Sequence, residues 1–212
     1  MSSSPRHRPF LIVLSSPSGA GKTTIAQAVV RRDRQLTYSV SVTTRARRKG
    51  ERNHRSYIFV TERQFQELRR RGHLLEHALV YGHHYGTPKK PVLRAFRQGQ
   101  DVIADLDIQG MRSCKARLPG TVGIFITAPS RKELSRRLLA RGSDSAAALA
   151  RRRAAQAAEL AAIPEFDYLV VNERLADAVE DVRAIIRAER LKTSRLTAAG
   201  AASARITRKE QR

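Results

Sequence analysis

The stretch Leu11 to Thr24, LIVLSSPSGAGKTT, runs from an apolar β-type segment through a glycine-rich turn into a helix start. That order decides the fold. Gly19 and Gly21 let the backbone turn its N–H groups inward, so Ser16, Pro17, Ser18, Gly19, Ala20 and Gly21 can cradle anionic oxygens ahead of Lys22, Thr23 and Thr24. Lys22 can reach β- and γ-phosphates and the Thr23 hydroxyl can ligate Mg²⁺, so the loop implies a nucleotide and its metal. Ser16 stands where the general pattern opens with glycine, which leaves the later part of the signature to carry the reading.

Working outward, apolar β-type runs alternate with helical periodicities. Strands are predicted at Leu11–Leu14, Tyr38–Val42, Tyr57–Val60, Asp101–Asp105, Thr121–Thr127 and Tyr168–Val171. Helices are predicted at Lys22–Arg31, Glu62–Arg71, Pro91–Gln98, Gln109–Leu118, Arg131–Arg141 and Leu175–Arg195. The alternation argues for an α/β fold with a parallel, doubly wound sheet flanked by helices, whose ligands sit beyond the carboxyl ends of the strands. The ends, Met1–Arg8 and Thr197–Arg212, are polar, basic or small and read as loosely ordered tails.

A chain of 212 residues with 41% hydrophobic content can build one large domain with insertions. No apolar run approaches the roughly 18 residues of a membrane span, and MSSSPRHRPF has no apolar signal segment, so the cytosol is the expected compartment. Cys114 is the only cysteine, which excludes an intrachain disulfide and a cysteine-based zinc site. The net charge of +22, from 41 Lys and Arg against 19 Asp and Glu, attracts polyanions. Much of the excess is arginine accompanied by alanine, which solvated surface accounts for, and no helix-turn-helix, zinc-finger or aromatic RNP-like signal is present. Specific nucleic-acid readout is therefore not expected; nonspecific polyanion binding and homo-oligomers stay open.

A second cluster lies in Tyr38 to Tyr57, YSVSVTTRARRKGERNHRSY. Arg45 and Arg48, three apart at a strand end, can fork onto one phosphate, and a tyrosine hydroxyl can add a donor. On residue types alone a basic surface loop is equally open.

Together these clusters resemble the guanylate kinase family, whose members carry SxSxTTRxPRxGE followed by a tyrosine. The likeness continues in order through Leu75-Glu76-His77-Ala78, Tyr85-Gly86-Thr87, Asp105-Leu106-Asp107-Ile108-Gln109-Gly110, Pro129-Ser130, the RLLARG run from Arg137 to Gly142, and Asp167 to Asn172. It implies a P-loop NTPase core at residues 9–37, 89–136 and 161–196. Into this core are set a small GMP-binding α+β domain at 38–88 and a mobile helical lid at 137–160, with basic tails at 1–8 and 197–212. The implied reaction transfers the γ-phosphoryl group of ATP to GMP, and to its deoxy form, giving ADP and GDP for purine nucleotide metabolism.

By the same resemblance, Arg45, Arg48, Tyr57 and Tyr85 grip the GMP phosphate, while Ser41, Glu76, Thr87 and Asp107 read guanine. Lys22, Arg45, Arg137, Arg141 and Arg152 stabilise the transferring phosphoryl group, Thr23 and Asp105 hold Mg²⁺, the latter through water, and Asn172 lies near the adenine. Chemistry supports the choice of Glu76. A carboxylate accepts from guanine N1–H and the 2-amino group together, whereas adenine offers an acceptor at N1 and has no amino group there. Three departures stand out: Arg47 replaces a proline, RNHR at 52–55 lacks the usual glycine, and His84 replaces a tyrosine. Two other readings compete, a catalytically silent binding module and a kinase for ribose 1,5-bisphosphate. Lys22 and Thr23 argue against the first; Glu76, Thr87 and Asp107 argue against the second.

Overall fold

A computed structural model describes residues 7–48, 50–140, 154 and 156–197. In chain order its elements begin with β1 (Leu11–Ser15), α1 (Lys22–Arg31), β2 (Leu36–Ser39), β3 (Val42–Thr43), β4 (Ile58–Phe59), α2 (Glu62–Arg70), β5 (Leu74–Val80) and β6 (His83–Pro88). Then follow α3 (Lys89–Arg97), β7 (Asp101–Asp105), α4 (Ile108–Arg117), β8 (Val122–Thr127), α5 (Arg131–Ala140), β9 (Tyr168–Val171) and α6 (Leu175–Arg190). A further helical run occupies 156–161.

Every residue of β1 and β8 is buried, the pattern of strands covered on both faces. They lie in a parallel sheet of order β2-β7-β1-β8-β9. Alternation along β1 sends Ile12 and Leu14 to one face, where they pack with Ile25 and Val29 of α1 and Val179 and Val182 of α6. Leu11 and Val13 go to the other, with Val92 and Ala95 of α3 and Met111 and Cys114 of α4. Burial, then the charge of Glu76, pushes the Cys114 thiol up to about 12, so it behaves as a core side chain.

The predicted strand Tyr38–Val42 divides between two sheets. Tyr38 and Ser39 end β2 in the parallel sheet, and Val42 begins β3 in a second sheet of order β4-β3-β6-β5. Residues 40–41 are the crossing. The β5–β6 hairpin has no counterpart among the predicted strands, because Glu76, His77, His83 and His84 interrupt its apolar pattern. Its two-residue turn, Tyr81 and Gly82, has φ of 50° and 81°, the left-handed geometry that suits tight hairpins. Phe65 of α2 packs under this sheet against Val42 and Leu74, and α2 itself starts at a Thr61–Gln64 capping box. His54, in the segment lacking the family's glycine, takes φ of 60°; Asn53 Oδ1 accepts from the N–H groups of His54 and Phe59 and fixes this bend. His84 stacks on Phe65 at 5.0 Å.

His7 and Arg8, read from the sequence as part of a loose tail, are tied down. His7 bridges to Leu196, and the Arg8 N–H donates to the Arg195 carbonyl at 2.6 Å. Beneath them Asp101, fully buried, accepts from His7 Nε2 at 2.9 Å, the Phe10 N–H at 3.1 Å and Arg190 Nε at 2.7 Å. The final helix stops at Arg190 rather than Arg195, and a 3₁₀ turn, Thr193–Arg195, brings the Arg195 guanidinium over the Phe10 ring at 4.0 Å. Among the described residues no helix is long and apolar enough to cross a membrane.

Candidate active site

The carboxyl ends of β1 and β7 open into a cleft of about 770 Å³ that extends beneath the second sheet. Gly19 and Gly21, with φ of 96° and 90°, turn the loop between β1 and α1. A side chain at Gly21 would meet the Asn172 amide at 2.5 Å, so both conformation and space require glycine there. Ser16, Pro17, Ser18, Gly19, Gly21, Lys22, Thr23 and Thr24 line the cleft. Ala20 does not: its side chain is buried in the core and its carbonyl accepts from Asn172 Nδ2 at 2.7 Å. Asn172, expected near the adenine, is 5% exposed and braces the loop from behind.

Lys22 Nζ lies 2.6 Å from Asp105 Oδ1 and donates to the Leu106 carbonyl at 3.0 Å. The Thr23 hydroxyl donates to the other carboxylate oxygen of Asp105. Ser15 Oγ also donates to the Leu106 carbonyl, at 2.9 Å, which fixes the strand end that presents Asp105. One carboxylate thus neutralises the lysine and meets the threonine. Thr23 and Asp105 are hard oxygen donors suited to Mg²⁺, which keeps water and substrate phosphate oxygens in its shell and is bound through one or two carboxylates. Among the described residues no group of three or more His, Cys, Asp or Glu is placed to hold a metal ion.

A basic and aromatic cluster lines the same cleft. Arg45 Nε donates to Tyr85 Oη at 3.1 Å, and its guanidinium lies 5.3 Å from the Tyr57 ring centre. Tyr57 and Tyr85 meet edge to face at 5.8 Å. Burial, then the negative charge of Asp105, pushes the Tyr57 phenol up, so it remains a donor. Arg48 lines the same space. Sequence reasoning assigned no role to Glu51, yet it organises this cluster: Oε1 accepts from Arg45 Nη2 at 2.7 Å and Oε2 from the Arg48 N–H at 2.8 Å. Burial opposes the charge on both members, but the hydrogen bonds outweigh it, raising Arg45 and lowering Glu51 from their ordinary values.

Glu51→Ala removes both hydrogen bonds and should therefore raise the KM for the phosphate acceptor at least about tenfold while leaving the KM for ATP unchanged. Glu51→Gln, which keeps an acceptor for the Arg48 N–H, should recover part of the loss. Steady-state kinetics with each substrate varied in turn checks both.

Glu76, 2% exposed, lines the same cleft. It pairs with Thr87 across β5 and β6, and the Thr87 hydroxyl donates to Oε1 at 2.6 Å. Burial raises the Glu76 carboxyl to about 7; the Thr87 hydrogen bond counters part of this and the nearby Asp107 adds to it. Asp107 caps α4, with Oδ1 accepting from the Gly110 N–H at 2.8 Å. A Cβ at Gly110 would lie 3.0 Å from Glu76 Oε2, so glycine lets α4 approach the carboxylate. Ser41, at the crossing between sheets, lines this part of the cleft, and Thr87 is fully buried behind Glu76.

Arg137 reaches the cleft from α5, held by Glu133 at 2.6 Å and by the Asn172 carbonyl at 2.9 Å. Arg136, not singled out in the sequence, lines the cleft beside it. Arg141 and Arg152 lie outside the described residues.

This arrangement has counterparts among known proteins. The profile of the guanylate kinase family matches residues 8–189. A guanylate kinase from Alkalilimnicola ehrlichii is 45% identical over 185 residues, covering 87% of this chain and 91% of that protein. Another, from Rhodospirillum rubrum, is 48% identical over 190 residues, 89% of this chain and 87% of its own length. The crystal structure of guanylate kinase from Anaplasma phagocytophilum matches with a TM-score of 0.78 at 34% identity, covering 90% of this chain and 91% of that one. With the profile running from before the phosphate loop almost to the end of α6, the chain belongs to the guanylate kinase family.

Proposed function

We propose that this chain transfers the γ-phosphoryl group of ATP to GMP, and to its 2′-deoxy form, giving ADP and GDP. The observation that carries the choice of acceptor is the Glu76 carboxylate, buried against Thr87 and Asp107 in the same cleft as Lys22 and Thr23. Guanine presents two adjacent donors to that carboxylate, and no other common base offers the same pair at that edge. Arg45, Arg48, Tyr57 and Tyr85 hold the acceptor phosphate, whose oxygen is already a nucleophile, so no strong base is needed. Lys22 and Arg137 stabilise the phosphoryl group as charge spreads over its oxygens. Thr23 and Asp105 would hold Mg²⁺, which would supply positive charge to offset that of the phosphate oxygens.

A silent binding module would not require Lys22, Thr23 and Asp105 to converge at the mouth of the cleft, and a ribose bisphosphate kinase would not require a buried carboxylate at Glu76. The reading is tested by incubating the purified chain with ATP, Mg²⁺ and GMP and following GDP by chromatography. Equal molar GDP and ADP support it; ADP without GDP contradicts it.

The same carboxylate sets a pH dependence. Protonated Glu76 places an O–H against guanine's own donors, so productive GMP binding needs the ionised form. Because its value in the free protein is raised to about 7, kcat/KM for GMP should climb as pH rises through about 7 and level off above it. One unit below, roughly a tenth of the protein is competent, and kcat/KM should be about tenfold lower. The folding term runs the other way: the neutral carboxyl's contribution is complete below the ordinary carboxylate range and is lost as pH rises through about 7. Glu76→Gln should flatten the kinetic profile across this window.

A further inference from the structure

The charge of +22 is not spread evenly over the surface. On α2, α5 and α6 arginines share glutamates of their own helix: Arg70 and Arg71 with Glu67, Arg136 and Arg137 with Glu133, Arg183 with Glu180. Helix α3 differs. From His77 to Gln100 the sequence contains no acidic residue. Lys89, Lys90, Arg94 and Arg97 are exposed, and among the described residues none of them has a side-chain hydrogen bond or ion pair.

Helical geometry aligns these cations. Val92 and Ala95 are buried against the sheet, so the opposite side of α3 carries Lys90, Arg94 and Arg97 at i, i+4 and i+7. At 1.5 Å per residue the stripe is roughly 10 Å long. No residue of α3 lines the nucleotide cleft.

A second observation concerns the helix start. Lys89 and Lys90 occupy the first turn, which has no acidic residue, and the N-cap Pro88 supplies no side-chain hydrogen bond. Cations there oppose the helix dipole. Helix α2, by contrast, opens with a capping box and Glu62. The Lys89 N–H donates to the His73 carbonyl at 2.8 Å, but no carboxylate faces the two lysines of this turn, the pattern expected where a surface serves something other than stability.

We propose that the outer face of α3 is a docking surface for the phosphate backbone of nucleic acid, without base readout. Unneutralised cations in a row release counterions from a polyphosphate when they bind it. The stripe carries no aromatic side chain for base stacking, and the helix lies flat on the sheet, so contact is limited to phosphates. A membrane surface is disfavoured because a helix lying in lipid needs a free apolar face, and that of α3 is committed to the core.

The test measures binding of the full chain to a short, labelled, mixed-sequence DNA duplex by fluorescence anisotropy, between about 50 and 200 mM salt, with GMP present to occupy the cleft. The triple variant Lys90→Gln, Arg94→Gln, Arg97→Gln is compared with the charge-matched Arg31→Gln, Arg183→Gln, Arg187→Gln on the opposite face of the sheet. Three phosphate contacts correspond to a salt slope of about 2.7, so the α3 triple should lower the slope by about 2 to 3 and weaken low-salt binding at least about tenfold. The matched triple should change binding less than about twofold, and both should keep the wild-type rate of GDP formation and a melting temperature within about 4 °C of wild type, the most that loss of the exposed Arg183–Glu180 pair would cost. Equal losses in the two triples would mean bulk charge alone and would overturn the proposal. So would an unchanged slope in the α3 triple, or preference for phosphatidylserine vesicles over the duplex.

Discussion

Replacing Glu76 by alanine is expected to lower kcat/KM for GMP by about 10² to 10⁴ while leaving the KM for ATP within about twofold. The size follows from burial. Glu76 is 2% exposed, and the Thr87 hydroxyl donates to its Oε1. Guanine's two donors would lose a desolvated charged acceptor, and the Thr87 hydroxyl would lose its own. Rejection of AMP is expected to work through the same group, because adenine would leave the carboxylate unpaired; discrimination of that kind reaches about 10⁴ to 10⁵ where a buried polar group goes unsatisfied. The variant should therefore narrow the GMP to AMP ratio chiefly by losing activity on GMP. Its fold should survive, since a buried carboxylate raised to about 7 is itself a cost at alkaline pH. Steady-state kinetics at pH 8 with both acceptors, beside a thermal melt, measures this; a stable variant with undiminished preference for GMP would place base recognition elsewhere.

The second large effect concerns Lys22. Lys22→Ala should reduce kcat by about 10² to 10³, with GMP affinity measured by calorimetry nearly unchanged. Lys22 contacts Asp105 at 2.6 Å and the Leu106 carbonyl at 3.0 Å, whereas Arg45 is held by Tyr85 and Glu51. Its removal should delete charge where the transferring phosphoryl group is expected to sit and leave the acceptor cluster intact. Lys22→Arg should not rescue the rate, because a planar guanidinium cannot replace a compact ammonium between a carboxylate and a carbonyl. A matching rise in GMP dissociation constant would instead mean that the loop and the acceptor site form one unit.

Most of the parallel sheet was legible because its strands are buried on both faces and read as unbroken apolar runs. The phosphate loop was legible because two glycines and a lysine between a strand and a helix have few other uses. The second sheet was harder. β5 and β6 place Glu76, His77, His83 and His84 inside strands, so no period-two apolar pattern survives, and the hairpin emerges only when Phe65 and Leu74 pack beneath it. Glu51, visible in the motif, had no role assigned for a related reason: it fastens Arg45 and the Arg48 N–H, and a carboxylate in an arginine-rich loop has many equivalent partners on paper. Asn172 was assigned to the nucleotide because of the motif containing it. Its bond to the Ala20 carbonyl, across the sheet from β9, comes only with the folded chain.

The central claim is that the acceptor is GMP. It is tested most directly by following ADP formation from ATP and Mg²⁺ with GMP, AMP, CMP, UMP and ribose 1,5-bisphosphate offered separately to the wild-type chain. Turnover confined to GMP, and its deoxy form when that is added, is the predicted result; comparable turnover with another acceptor, or none with GMP, would contradict it.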